Sequence, residues 1–107
     1  MTNDVDQPIR ALLDATNSGD VAAFLDSFTA DGVVDDWGRE FRGREEIKGW
    51  SDREFLGKQV TLEVTGVEKS GGETTLTAAV GGNGFNGPST FVFVVDGDKL
   101  DRMNIRA

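Results

Sequence analysis

Ile9, Leu12, Leu13 and Thr16 recur at the i, i+3, i+4, i+7 spacing that lines up side chains on one side of an α-helix, and Pro8 suits the first turn of that helix. Asn17, Ser18 and Gly19 supply a stop, after which Asp20 is a natural N-cap for a second helix striped by Val21, Phe24, Leu25 and Phe28. Asp31 and Gly32 are expected to end it. Val33-Val34-Asp35-Asp36-Trp37 then reads as a short strand that turns at Gly38 and returns through Phe41. A third helix is predicted from near Gly43, with a looser stripe of Ile47, Trp50, Ser51 and Phe55 and with Gly49 costing about 1 kcal/mol against alanine.

From Gln59 onward the period changes from 3.6 to 2, because Val60, Leu62 and Val64 alternate with Thr61, Glu63 and Thr65. Ser70-Gly71-Gly72 turns into a strand over Thr74–Val80, a Gly/Asn-rich segment leads to Ser89–Val95, and Asp96-Gly97 turns into Lys99–Arg106. Consecutive strands joined by such short turns pair antiparallel. The predicted fold class is therefore α+β: amphipathic helices, then an antiparallel sheet, forming a single domain over residues 1–107 around an apolar pocket. One strand breaks the inside/outside pattern. Phe91-Val92-Phe93-Val94-Val95 is apolar on both faces, and helices cover one face only, so a homodimer through the sheet face is expected.

A chain of 107 residues has room for one core and buries roughly 65% of the surface its unfolded form exposes. No apolar run is long enough to span a bilayer, and Met1, Thr2, Asn3 and Asp4 present an acid where a signal peptide carries positive charge, which makes the cytoplasm the expected location. The formal charge of −8 repels phosphate backbones and anionic lipid heads, so neither nucleic acid nor membrane is expected as a partner. The chain contains no histidine, no tyrosine and no cysteine. A histidine-based triad, imidazole-ligated zinc, thiolate chemistry and phenol acid catalysis are all excluded, and carboxylates are left as the foremost agents of proton transfer.

Asp35 and Asp36 stand out for that role. Neighbours on a strand point to opposite faces, so one of the two should look inward and the other away. An inward carboxylate among apolar side chains has its charged form disfavoured, which makes it a stronger base; the plainer reading makes both ordinary surface acids at a strand end. Gly82-Asn83-Gly84-Phe85-Asn86-Gly87 matches G-x-G-x-x-G, yet Pro88 and a strand follow it where a dinucleotide site needs a helix, so a loop between strands is expected. Asp96, Asp98 and Asp101 lack the spacing of a calcium loop and read as a solvated hairpin turn. Trp37 and Trp50 are core fillers or pocket walls, and Arg39, Arg42 and Arg44 are expected to pair locally with Glu40, Glu45 and Glu46.

Asn17-Ser18-Gly19-Asp20, then Asp31-Gly32-Val33-Val34-Asp35-Asp36, then Phe41-Arg42-Gly43-Arg44-Glu45-Glu46-Ile47 resemble the nuclear transport factor 2-like superfamily, and within it the SnoaL-like branch. The resemblance spans nearly the whole chain. It implies a cystatin-like cone, three helices packed on a strongly curved sheet with an apolar cavity open at one end. Members include ketosteroid isomerases, polyketide cyclases and non-enzymatic binding domains, so activity must be argued from the site. Compared with the steroid isomerases, Asp36 falls at the general base, which makes it the expected catalytic acid/base with Asp35 as alternate. Their two oxyanion donors correspond to Leu12 and Thr90 here, and since a missing donor costs about 2.7–4 kcal/mol, the familiar steroid mechanism is not expected.

The expected cavity is lined by Leu12, Phe28, Trp50, Val64, Val80, Thr90, Val92, Met103 and Ile105, and takes a small apolar ligand or substrate. The resemblance implies cofactor-free, metal-free proton transfer next to a carbonyl, as in isomerisation or cyclisation. A non-catalytic dimeric binding module is the alternative, which pairing of Asp36 to Arg39 or Arg42 would favour.

Overall fold

A computed structural model describes residues 5–106; the Met1–Asp4 stretch read above against a signal peptide lies outside them. Among the described residues, α1 (Gln7–Ser18) and α2 (Val21–Asp26) lead into β1 (Phe28–Asp36), β2 (Arg39–Arg42) and α3 (Gly43–Glu54). A 3-10 turn at Leu56–Lys58 follows, and then β3 (Thr61–Ser70), β4 (Glu73–Gly81), β5 (Gly87–Asp96) and β6 (Lys99–Arg106).

The helix corner forms as its sequence chemistry dictates. Gly19 closes α1 at φ 72, a left-handed conformation that costs glycine nothing, and the Asp20 carboxylate accepts the Ala23 N–H at 3.1 Å as the cap of α2. Helix α2 is shorter than its stripe suggests. Phe28 begins β1 instead of ending the helix, with the Leu100 N–H donating to the Ser27 carbonyl at 2.7 Å. Asp31 and Gly32 accordingly sit inside β1, at an irregularity in its pairing between Phe28 and Val33, and do not act as a helix stop. The i, i+7 spacing placed Phe28 on the right side of the chain, but a ladder bond to β6 outcompeted one more turn of helix. At the other end of the helical layer, Gln59 takes φ 55 after the 3-10 turn, so β3 starts at Thr61, later than periodicity indicated.

The six strands form one sheet in the order β2-β1-β6-β5-β4-β3. Every neighbouring pair is antiparallel except β1 and β6, which run parallel, so the sheet is mixed. Short turns dictate direction only between consecutive strands, and β1 and β6 are separated by α3 and the whole β3–β5 meander. Irregular pairing at Val64/Gly66 and at Val94/Val95 bends the sheet locally.

The three helices lie on one face. Ile9, Leu12 and Leu13 of α1, Phe24 of α2 and Ile47 and Trp50 of α3 pack against Val34, Leu76, Phe91, Phe93, Leu100 and Met103 of the sheet. Each such side chain, fully buried, contributes about 1.5–3 kcal/mol. On β5 the alternation is strict at Phe91 and Phe93, which are buried, with Val92 and Val94 half-exposed on the far face.

Asn17, part of the motif that carried the resemblance, has a structural task. Its amide accepts the Leu62 N–H at 2.7 Å and donates to the Leu62 carbonyl at 3.1 Å, standing in for a neighbouring strand at the open edge of β3. Asn17→Ala is expected to lower stability by about 1–3 kcal/mol, the worth of two lost hydrogen bonds at a buried strand residue. Asn17→Asp, which keeps the acceptor but sets an anionic oxygen against the Leu62 carbonyl, should lose at least as much. Urea denaturation with an unchanged m-value would check both.

Candidate functional site

On β1, Val34 is fully buried under the helices, so the residue two positions on faces the same way. That residue is Asp36. It lies at a cavity of about 360 Å³ whose apolar walls are Trp50, Phe55, Val60, Val80, Phe91 and Ile105, with Glu54, Lys58 and Ser89 as further polar groups and Trp37, Gly84 and Phe85 beside them. Trp50 stacks between Phe41 and Phe55, at ring separations of 6.0 Å and 4.9 Å, which holds the indole still.

Asp36 has polar company. Its Oδ2 accepts from Arg39 Nη2 at 2.6 Å and from the Trp50 indole N–H at 3.1 Å. The same guanidinium donates to both oxygens of Glu54, at 2.7 and 3.0 Å, so one arginine bridges two carboxylates at the cavity's edge. The hydrogen bond from Arg39 holds the Glu54 carboxyl below the usual range against the opposing effect of burial, and the Arg39 guanidinium is shifted up in turn. Among the described residues both hydrogen bonds to the Asp36 carboxylate fall on Oδ2, and none falls on Oδ1. On the opposite wall, the Ser89 hydroxyl donates to the Arg106 carbonyl at 2.6 Å and keeps its lone pairs for other donors.

Asp35 stands on the other face of the sheet and away from the cavity. It is 7% exposed, covered by arginines rather than by helices. It accepts from the Gly38 N–H at 2.7 Å and from Arg102 and Arg106, each at 3.2 Å. The Arg106 hydrogen bond holds its carboxyl below the ordinary value of 3.8; burial opposes this, and Gly38 and the two arginine charges add to it.

Of the residues expected around the pocket, Asp36, Trp50, Val80 and Ile105 line the cavity. Leu12, Phe28 and Met103 are fully buried in the core, and Val64 is half-buried against it. These four fill the interior where the expectation had them lining the space. Thr90 and Val92 lie on the sheet's far face, because Ser89, Phe91 and Phe93 occupy the inner one. With β5 apolar on both sides, alternation gave no means of choosing its inner set. The positions matching the two oxyanion donors, Leu12 and Thr90, are thus both away from the cavity. Glu54, Lys58 and Ser89 were not anticipated, since their approach depends on where α3 ends relative to β2 and β5. The arginine run pairs differently too: Glu40 bonds Arg102 at 2.6 Å, and Glu46 accepts the Arg42 backbone N–H at 2.9 Å.

The glycine-rich segment packs beside the cavity. A Cβ on Gly82, at φ 128, would lie 2.9 Å from the Gln59 carbonyl oxygen and 3.0 Å from that of Lys58. Asn83 donates its N–H to the Lys58 carbonyl at 2.8 Å and its amide to Gln59 Oε1 at 3.0 Å. The glycine there permits a backbone-to-backbone approach onto the 3-10 turn.

Three helices on one face of an open mixed sheet give this chain the α+β fold class of solved structures described as NTF2-like and as of cystatin fold. Within that class the chain belongs to the SnoaL-like domain family, whose model matches residues 9–103. A proposed polyketide cyclase from Sinorhizobium meliloti superposes with a TM-score of 0.86 at 22% identity, covering 99% of each chain. A hypothetical protein of ketosteroid isomerase-like fold from Catenulispora acidiphila, solved with trimethylamine, gives 0.81 at 23% identity over 97% of this chain and 87% of that one. The Orange Carotenoid Protein of Anabaena, solved binding canthaxanthin, gives 0.82 at 14% identity over 99% of this chain and 37% of that one. At these identities the likeness is one of fold. No curated protein matches the chain in sequence. No described helix is long and apolar enough to cross a membrane.

The Asp35 cluster generates a pH prediction. Its folded pKa lies below its unfolded value, so the stability it contributes is complete above pH 3.8 and is lost as pH falls through the folded value. Asp35→Asn is expected to cost about 1–3 kcal/mol at pH 7, the penalty for leaving arginine and amide donors short of an acceptor. Acid titrations of both proteins should show that deficit shrinking below about pH 4.

Proposed function

We propose that the chain binds a compact apolar small molecule in the cavity beside Asp36, and that Asp36 transfers a proton next to a carbonyl of that molecule without a cofactor, as an isomerase or cyclase does. The observation that carries this reading is the placement of the Asp36 carboxylate, whose Oδ1 takes no hydrogen bond from the described residues, at the edge of a hollow with mainly apolar walls. The Trp50 indole fixes the carboxylate's orientation, and orientation is what a proton-transfer group needs first. Support from similar folds comes from the carotenoid-binding and trimethylamine-bound neighbours, whose ligands are small or apolar.

A second reading is favoured by a specific contact. The Asp36–Arg39–Glu54 bridge engages the carboxylate with protein groups, as expected of a non-catalytic, dimeric binding module that keeps the pocket but performs no chemistry. Both readings share a single domain over residues 1–107, a cytoplasmic location and a homodimer through the far face of the sheet, where Val92 and Val94 are half-exposed.

Asp36→Asn separates the two. A panel of small ketones assayed with wild type and variant should show kcat falling about 10²- to 10⁴-fold, with ligand affinity nearly retained, if Asp36 moves the proton. Equal turnover would leave the binding module. The ligand site has its own test: Val80→Phe and Ile105→Phe each add bulk to the cavity wall and are expected to abolish binding of uncharged apolar probes while the protein melts cooperatively.

A further inference from the structure

Two large apolar side chains are well exposed among the described residues, Trp37 at 62% and Phe85 at 61%, and both line the one cavity described above although 48 positions separate them in the chain. Their exposure marks them as the cavity's mouth. Exposed apolar rings scattered singly would need no explanation; two converging on one opening do.

Trp37 is also held in an unfavourable backbone conformation. It and Gly38 form the two-residue connection between β1 and β2, at φ 56 and 92, the pair of positive values that defines a type I′ turn. Asparagine or glycine suits the first of these positions, whereas a bulky side chain there is strained. Among the described residues, no hydrogen bond or ring contact holds the indole. The backbone N–H of Trp37 donates to the Ile105 carbonyl at 3.3 Å, which any residue but proline can do. Phe85 is equally dispensable to its own loop, which is fastened by Asn83 to the 3-10 turn and braced by the Asn86 amide donating to the carbonyls of Gly82 and Gly84 at 3.0 and 3.2 Å. The Phe85 ring lies over Gly87, where an added Cβ would meet Cζ at 3.4 Å, so it leans toward the Val80 wall that Gly87 pairs with.

The charges bordering the cavity cancel. Asp36 and Glu54 are set against Arg39, bonded to both, and Lys58. An ionic ligand finds no net counter-charge there, and two aromatic faces at the opening offer contact to a flat apolar surface.

We propose that Trp37 and Phe85 are the specificity-determining residues of the pocket, closing on a flat, uncharged group of the ligand at its mouth, and that the strain at Trp37 is retained for that contact. This rests on the cavity being a ligand site. The experiment uses N-phenyl-1-naphthylamine, a flat uncharged fluorophore, titrated into wild type and variants, with thermal melts of each. Trp37→Asn is expected to melt at the same or a higher temperature, since Asn-Gly is a favoured type I′ pair, yet to bind the probe at least fivefold more weakly. Phe85→Ala should melt as wild type and also bind at least fivefold more weakly, and Trp37→Phe, which keeps a ring, should bind within twofold of wild type. Wild-type affinity in both Trp37→Asn and Phe85→Ala, with binding lost in Val80→Phe, would overturn the mouth and leave the pocket standing. Failure of wild type to bind, or unchanged binding in Val80→Phe, would remove both.

Discussion

The alternation of β1 between β2 and β6 governs the candidate site of this molecule. Val34 is buried beneath the helices, and a strand held by neighbours on both edges cannot rotate, so Asp36 is committed to the cavity and Asp35 to the opposite face. Two adjacent carboxylates of identical chemistry thereby acquire unrelated surroundings. One meets an indole and a shared arginine at the edge of an apolar hollow; the other sits under two arginines on the outside of the sheet. A slip of one residue would exchange them.

The same strand ties the site to the rest of the fold. Its turn presents Trp37, its partner β2 supplies Arg39, and its parallel neighbour β6 supplies Ile105 to the wall and Arg102 and Arg106 to the other face. Across the cavity, the docking of the Gly82–Gly87 segment onto the 3-10 turn brings Phe85 and Lys58 to the same opening. The cavity is thus assembled from separate parts of the chain, which is why its apolar walls are not contiguous in sequence.

Much of the architecture was legible. Side-chain periods of 3.6 and 2, Gly19 and Asp20 at the helix corner, and the glycine turns between β3 and β4 and between β5 and β6 are local signals that report local structure. The resemblance to the SnoaL-like branch extended them to the family. Local signals failed where a distant partner outbid them. Phe28 fitted a helical stripe and became a strand because β6 was there to pair with it, and the direction of β1 against β6 was set by no turn at all.

For the cavity, the residues themselves put carboxylates first for any proton chemistry, ahead of lysine, serine and threonine, since histidine, cysteine and tyrosine are absent. They did not announce which face of β5 turns inward, because Phe91 and Val92 are both apolar and hydrophobicity alone ranks them alike. Nor did they reveal that Arg39 would reach Glu54, fifteen positions away at the end of α3. Sequence determines what each short stretch prefers and which chemistries are possible. Tertiary structure alone decided which acid faces the hollow and what keeps it company, because those depend on how helix ends, turns and strand faces meet in space.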